Sequence, residues 1–481
     1  MTEAGSTGHR VRYLVGPDEW AGQSGRPALD QGANWARFGD RMVTWVPASR
    51  QLGRGAHSAD RLLLVTQVGR AFQDEHPEAH PVLTHGRHLV VTDNEPSLLD
   101  SPPNDCWRVE TLPKDAVVID IPAASGGRTD PEVTALLGEL SSSRYLADVN
   151  WLAGLPNRHS LSAHFSAAAG WGAALMSGLG YTATQVPITV GAATSKNVVG
   201  DRAGIGPGPR GLVLVTAHLD SINLAGGPSA SAPGADDNAS GSAGVLELGR
   251  VLSAHLWQND LRLILFGGEE EGLHGSLQYV ATLSATDRNR IRAVLNMDMI
   301  ATRNTPTATV LLEGAKVSSD LINELATAAA TYTTLRVETS LSPFASDHVP
   351  FINAGLPAVL TIEGADSANG HIHTANDLLT YVDPTLAMEI LRMNLATLVR
   401  HLGSTSTAPR TAGSVTSWGA GRLDVFVIGA DSALHHKWWD GVLKSLELGI
   451  TGLGAARARF SGRPGRRWRG SRPGRTAPYQ A

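Results

Sequence analysis

Three short runs in the middle of this chain are almost purely apolar, and each stops abruptly at histidine or acidic residues. Residues 212–216 (LVLVT) lead into Ala217-His218-Leu219-Asp220. Residues 261–266 (LRLILF) lead into Gly267-Gly268-Glu269-Glu270-Glu271, and residues 293–297 (AVLNM) into Asp298. Runs this short, without polar alternation, suit strands covered by helices on both faces. Further runs fit the same pattern at 182–190, 197–199, 309–312 and 358–362, with helix patterns at 161–177, 242–255 and 384–402. Asp383 and Pro384 are the N-cap and first residue expected for the last helix. The alternation predicts an α/β fold with a central, mostly parallel sheet. Ligands of such sheets bind beyond the carboxyl ends of the strands, where these polar residues fall.

More polar clusters follow. A loop at 235–241 (ADDNASG) precedes the helix at 242, and Ser346-Asp347-His348 and His371-Ile372-His373-Thr374 lie downstream. Singly, each cluster has a plain reading. HxD is a core histidine, DDNASG a turn with a helix cap, and EEE a solvated loop. Together they bring histidines and carboxylates from separate elements to one sheet rim. That is the donor set of a two-metal hydrolytic site, where one carboxylate bridges ions roughly 3.5–4 Å apart and another serves as base. The adjacent Glu269 and Glu270 supply one ligand and one base if a turn holds them. By spacing alone, His371 and His373 are both candidate ligands.

The motifs AHLDS, PGADDNASG, EEEGLHGS, NMDMI, SDHVPF and HIHTANDLL occur in this order within residues 131–404. The segment resembles the di-zinc exopeptidases of the bacterial leucyl aminopeptidase type. That superfamily also holds glutamate carboxypeptidases, glutaminyl cyclases and transferrin receptor ectodomains. The resemblance implies a three-layer α/β sandwich around a mixed, mostly parallel sheet, and two Zn2+ per chain. It implies that Asp236 bridges the ions, that Glu270 and His373 hold one, and that His218 and Asp298 hold the other. Glu269 is then the general base, and Asp220 orients His218 from behind. Asp237 is expected behind the ligands, joined to Asp236 by a cis peptide. Asp347, His348 and Asp377 match positions near the site without a ligand role, and His274 starts a helix. The implied activity is that of a metallo-exopeptidase releasing apolar N-terminal amino acids from peptides. Two features depart from the pattern. No tyrosine lies between Tyr332 and Tyr381 to stabilise an oxyanion, and the loop 341–345 (LSPFA) lacks the cysteine pair of some relatives. The competing readings are a carboxypeptidase or amidohydrolase on the same fold and a catalytically silent binding protein. The complete donor set with Glu269 argues against the last.

The rest of the chain reads less clearly. Residues 1–128 are expected to form a small appended α/β or β-rich domain, with strand-like runs at 61–68, 88–92 and 116–121 and a linker at 122–130. A second linker covers 403–413. Residues 414–441 resemble one repeat of a tectonin-like or fucose-lectin-like β-propeller, where Trp438 and Trp439 suit a weak carbohydrate contact. The net charge of −5 hides an asymmetry, because eight arginines lie between Arg457 and Arg475 and no acid follows Glu447. Without those eight charges the remainder carries −13. The acidic body disfavours nucleic acid as a partner, so the basic tail at 449–481 is read as a disordered, truncated or frame-shifted remainder of a longer propeller. A single cysteine, Cys106, excludes an internal disulfide. No apolar stretch approaches membrane-spanning length, and no secretory signal is visible at the start. A cytoplasmic location is therefore expected, with secretion as the alternative that the resemblance suggests.

Overall fold

The apolar runs assemble into one eight-stranded sheet. The computed structural model describes residues 10–17, 32–52, 54–93, 98–100, 106–123 and 125–403, together with the backbone of four C-terminal strands. The N-terminal strands are β1 (Val11–Pro17), β2 (Asn34–Phe38), β3 (Arg41–Pro47), β4 (His57–Ala59), β5 (Arg61–Gln67), β6 (Leu83–His85), β7 (His88–Asp93), β8 (Trp107–Thr111) and β9 (Ala116–Ile119). The eight that follow are β10 (Thr182–Val190), β11 (Ala193–Arg202), β12 (Leu212–His218), β13 (Asp260–Phe266), β14 (Ile291–Met297), β15 (Thr309–Glu313), β16 (Arg336–Ser340) and β17 (Ala358–Glu363).

The large sheet runs β10-β11-β13-β12-β14-β17-β15-β16. Its four central strands, β13, β12, β14 and β17, are parallel to one another, while β11 joins β13 and β15 joins β17 antiparallel. Every residue of β12 and β17 is buried, which is why these segments carry no polar alternation. Successive residues of β13 point to opposite faces. Leu263 and Leu265 pack under Gly249 and Gly172 of the helices Ala239–Ser253 and Ala163–Gly178. Phe266 meets Tyr279 and Phe351 from helices His274–Thr282 and His348–Asn353 on the other side. Helix Pro384–Leu402 begins where its cap predicts, with Asp383 Oδ1 accepting from the amides of Thr385 (2.8 Å) and Leu386 (3.3 Å). Strand β16 escaped the sequence reading. It ends the large sheet beside β15, meets only a single antiparallel bridge from Asp120 to Thr339 on its other side, and reads RVETS, so it has no apolar run to announce it.

The N-terminal residues build two sheets, ordered β4-β1-β3-β2-β9 and β6-β7-β5-β8. Leu62 and Leu64 of β5 share a core with Phe38, Val43 and Trp45 of the first sheet. Leu63 and Val65, on the opposite face, pack with Phe72 and Trp107. Val68 and Ile119 extend onto the large-sheet face that carries Leu360 and Ile362 of β17. The β6–β7 hairpin turns at Gly86, whose φ of +56° favours glycine, and at Arg87. The Arg87 guanidinium is fully buried. It donates from Nη1 to Glu313 Oε1 (3.0 Å) and to the carbonyl of Phe344 (3.0 Å), and its Nε lies 3.4 Å from Asp366 Oδ2.

A separate unit comprises residues 256–258 and 403–481. In it β18 (Ser414–Thr416), β19 (Leu423–Ile428), β20 (Leu434–Trp439) and β21 (Leu443–Leu448) pair antiparallel in sequential order. The side chains of Trp438 and Trp439 and the basic tail at 449–481 lie outside the described residues. Among the described residues, no helix is long and apolar enough to cross a membrane.

Two stability predictions follow from the N-terminal sheets. Replacing Arg87 with Met leaves Glu313 and Asp366 buried without their cation, and is expected to cost about 3 to 5 kcal/mol in urea unfolding. His88 in β7 is fully buried, and its Nδ1 lies 3.1 Å from Thr66 Oγ1. Burial, assisted by the nearby Arg87, His85 and Arg108 charges and against the pull of Glu313, holds this imidazole down to about 3. The unfolded chain takes up that proton near pH 6.5 and the folded chain does not, so the unfolded state binds more protons between these values. The His88 contribution is therefore complete above about pH 6.5 and is lost as pH falls toward about 3. Urea midpoints of His88→Asn should fall less steeply with acidification than those of the wild type.

Candidate metal centre

Four parallel strands deliver the polar residues to one rim. His218 is the last residue of β12, and Asp298 directly follows β14. Glu269 and Glu270 follow β13 after a turn at Gly267-Gly268. Gly268 sits at φ +68°, and a Cβ there would stand 2.9 Å from Val190 and 3.0 Å from His274. Asp237 lies just ahead of helix Ala239–Ser253, whose N-cap Asn238 accepts from Gly241 N at 2.7 Å. His373 comes from the loop beyond β17 and holds a left-handed φ of +56°, a costly conformation that persists only where its surroundings enforce it.

These side chains meet around one carboxylate. Asp237 Oδ1 lies 3.2 Å from His218 Nε2, and Asp237 Oδ2 lies 3.1 Å from His373 Nε2. Each histidine has a second carboxylate of its own. Asp298 Oδ1 is 3.0 Å from His218 Nε2, and Glu270 Oε2 is 2.9 Å from His373 Nε2. Glu269 brings an oxygen to the same group as His218 and Asp298, all within 4.8 Å of one another.

The expectation for Asp236 is corrected. Its carboxylate turns away from the histidines, with Oδ1 accepting from Ala301 N (2.9 Å) and Oδ2 from Asn369 Nδ2 (3.0 Å). The carboxylate standing between the two histidines belongs to Asp237, expected behind them. The cis peptide is likewise one bond later, joining Asp237 to Asn238. Asp220 Oδ1 lies 3.7 Å from His218 Nδ1, while its Oδ2 accepts from Glu270 N at 3.1 Å. Of the two candidates by spacing, His371 stacks on Tyr381 with ring centroids 3.7 Å apart, and His373 reaches the carboxylates.

Supporting residues hold these ligands in place, among them Asp377, which the resemblance put near the site. Asp377 receives the amides of Asp236 and Asp237, each at 2.9 Å, and so fixes the backbone that presents the central carboxylate. Ser346 donates to Asp298 Oδ2 at 2.7 Å and itself accepts from Asn296, which accepts from Thr216. The buried guanidinium of Arg158 donates to the carbonyls of Leu152, Leu219, Pro233 and Gly234, pinning the loop between His218 and Asp237. Only the SDH and NDL motifs hinted at Ser346 and Asp377. Nothing around Arg158 did.

The electrostatics fit a cation. Burial pushes the Glu270 carboxyl up to about 7, against the attraction of His373. Burial also lifts Glu269 well above the usual carboxylate range, with Asp298, Asp347 and Glu270 adding to the effect against His218. Asp237 goes the other way, because hydrogen bonds from His218 and His373 outweigh its burial and hold it low. Glu270 Oε1 is buried with no hydrogen-bond partner. Crowded, dehydrated carboxylates with spare lone pairs beside two imidazoles are the borderline-soft N/O donor set that zinc accepts.

Known proteins share part of this sequence and fold. The sequence pattern of peptidase family M28 matches residues 197–398. Aminopeptidase YwaD of Bacillus subtilis (strain 168) is 31% identical over 192 residues, which is 39% of this chain and 41% of that protein. Leucine aminopeptidase 1 of Grosmannia clavigera is 30% identical over 293 residues, covering 56% of this chain and 69% of its own length. The matches to the Bacillus protein and to leupeptin-inactivating enzyme 1 of Streptomyces exfoliatus span only 41% and 40% of those relatives. Among solved structures, the LapA aminopeptidase of Legionella pneumophila superposes with a TM-score of 0.52 at 18% identity. It covers 82% of this chain and 99% of that one, a likeness of fold.

The position of Asp237 gives a direct test. Asp237→Asn is expected to abolish the rise in melting temperature that added zinc produces, while Asp236→Asn retains most of it. Equal loss in both variants would return the central role to the pair as a whole.

Proposed function

Because this chain belongs to peptidase family M28, we infer that it is a zinc-dependent aminopeptidase acting on peptide N-termini. The observation that carries the inference is the single Asp237 carboxylate spanning His218 and His373, each with a carboxylate of its own. His218 and Asp298 would hold one zinc ion and His373 and Glu270 a second, with Asp237 shared. Bound there, the ions would polarise the scissile carbonyl and acidify a water at neutral pH.

The chain's own residues supply the proton chemistry. Glu269 is unpaired with either histidine, and burial among Asp298, Asp347 and Glu270 raises its pKa, which makes it a stronger proton acceptor than a free carboxylate. It accepts the proton of the attacking water and delivers it to the departing amine. Asp220 faces the otherwise unpartnered Nδ1 of His218 and favours the imidazole orientation in which Nε2 points into the site. The substrate's α-ammonium is drawn to the surplus of carboxylates. Apolar lining from Leu273, Leu277, Met299 and Val349 supports an apolar N-terminal residue. Three of the four sequential antiparallel strands, β18–β20, fall within residues 414–441, and with β21 they reach the strand count of one propeller blade, which supports reading that segment as a propeller-like repeat.

The test compares leucyl-p-nitroanilide with its N-acetylated form, using zinc-loaded wild type and Glu269→Gln. The wild type should cleave only the free amine. The variant should lose about 100-fold to 10,000-fold in kcat while still binding zinc. Equal cleavage of the acetylated substrate would refute the aminopeptidase reading, and a fully active variant would refute Glu269 as base.

A further inference from the structure

The cavity over the carboxylate–histidine cluster has a volume of about 390 Å³, and part of its wall comes from the N-terminal sheets, through Val68, Arg87, Cys106 and Arg108. Two of these four are arginines, and they are in opposite situations. Arg87 is committed to Glu313, Asp366 and the Phe344 carbonyl. Arg108, from β8, is half-buried and has one hydrogen bond, from Nη2 to Ser342 Oγ at 3.1 Å. Its guanidinium lies over the Phe344 ring, 5.0 Å from the centroid. Among the described residues no carboxylate pairs with it, and its Nε is buried without a partner.

A guanidinium presents five N–H donors in a planar fork that matches a carboxylate. Such a group, partly withdrawn from water, with no counter-ion and facing a ligand cavity, is poised for an anion. The surroundings hold it in place. Phe344 donates its amide to Glu313 Oε1 (2.9 Å) and gives its carbonyl to Arg87, so the platform under Arg108 is fixed at its backbone. Asp237, Glu269, Glu270 and Asp298 line the same cavity and attract the substrate's ammonium. A peptide whose amine sits among those carboxylates can meet Arg108 with the opposite charge only through a carboxylate further along.

We propose that Arg108 binds a carboxylate on the leaving-group side of the scissile bond and determines specificity for peptides that carry one there. This rests on the aminopeptidase reading. The carboxylate has two sources, the free C-terminus of a dipeptide or the acidic side chain of the second residue. The N-terminal region then contributes to substrate choice as well as to the fold.

The experiment uses the full zinc-loaded chain and four substrates: Leu-Gly, Leu-Gly-amide, Leu-Glu-amide and leucyl-p-nitroanilide. Wild type is expected to prefer Leu-Gly or Leu-Glu-amide over Leu-Gly-amide by about tenfold or more in kcat/KM, and which of the two is preferred identifies the source. In Arg108→Gln that ratio should collapse toward one, through KM rather than kcat, and Arg108→Lys should restore part of it. A wild-type ratio near one overturns the proposal, as does a ratio that survives in Arg108→Gln. The wild-type ratio decides alone if the variant does not fold. If wild type cleaves none of the four, the aminopeptidase reading has failed instead. Calorimetric binding of Leu-Gly against its amide then decides the role of Arg108, with equal affinities refuting it.

Discussion

The structure is organised around the two oxygens of Asp237, each within 3.2 Å of a different histidine. A carboxylate can serve two partners in this way only if its backbone is held still, and much of the surrounding polar structure does that. Asp377 takes the amides of both Asp236 and Asp237, Asn238 caps the helix that follows, and Arg158 fastens the preceding loop by three carbonyls and ties it to the Leu152 carbonyl. Removing any of these buried polar groups leaves its partner unsatisfied, which is costlier than the bond itself is worth. The centre is thus over-determined at one residue, and the flanking ligands need only be delivered by strand ends.

That delivery was legible in the sequence, because physics writes it there plainly. Strands buried on both faces are largely apolar, so β12, β13, β14 and β17 stand out, and the polar residues at or just past their ends fall at the rim. His218, Glu269, Glu270 and Asp298 were found by this rule. The choice between Asp236 and Asp237 was not legible. Neighbouring residues in a loop have no periodicity to assign their directions, and the deciding contacts come from Asp377, Ala301 and Asn369, far along the chain. Strand β16 and Arg158 escaped for related reasons. One is a half-polar edge strand, and the other bonds to backbone carbonyls that carry no residue identity.

The N-terminal region shows a further limit. Its strands are short and its defining contact joins Arg87 to Glu313 across 226 positions. A lone arginine at a hairpin tip has no pattern that foretells such a partner. Yet this region supplies part of the wall of the cavity over the metal centre. Stability and substrate choice are therefore linked through the Phe344 loop, whose backbone Arg87 and Glu313 hold and whose ring supports Arg108.

The central claim is that one carboxylate, Asp237, joins two metal positions. Anomalous diffraction at the zinc edge from crystals of the zinc-loaded protein tests it most directly. The account predicts two peaks, one beside His218 and Asp298 and one beside His373 and Glu270, each with an Asp237 oxygen as a ligand. A single peak, or two peaks joined by Asp236, would contradict it.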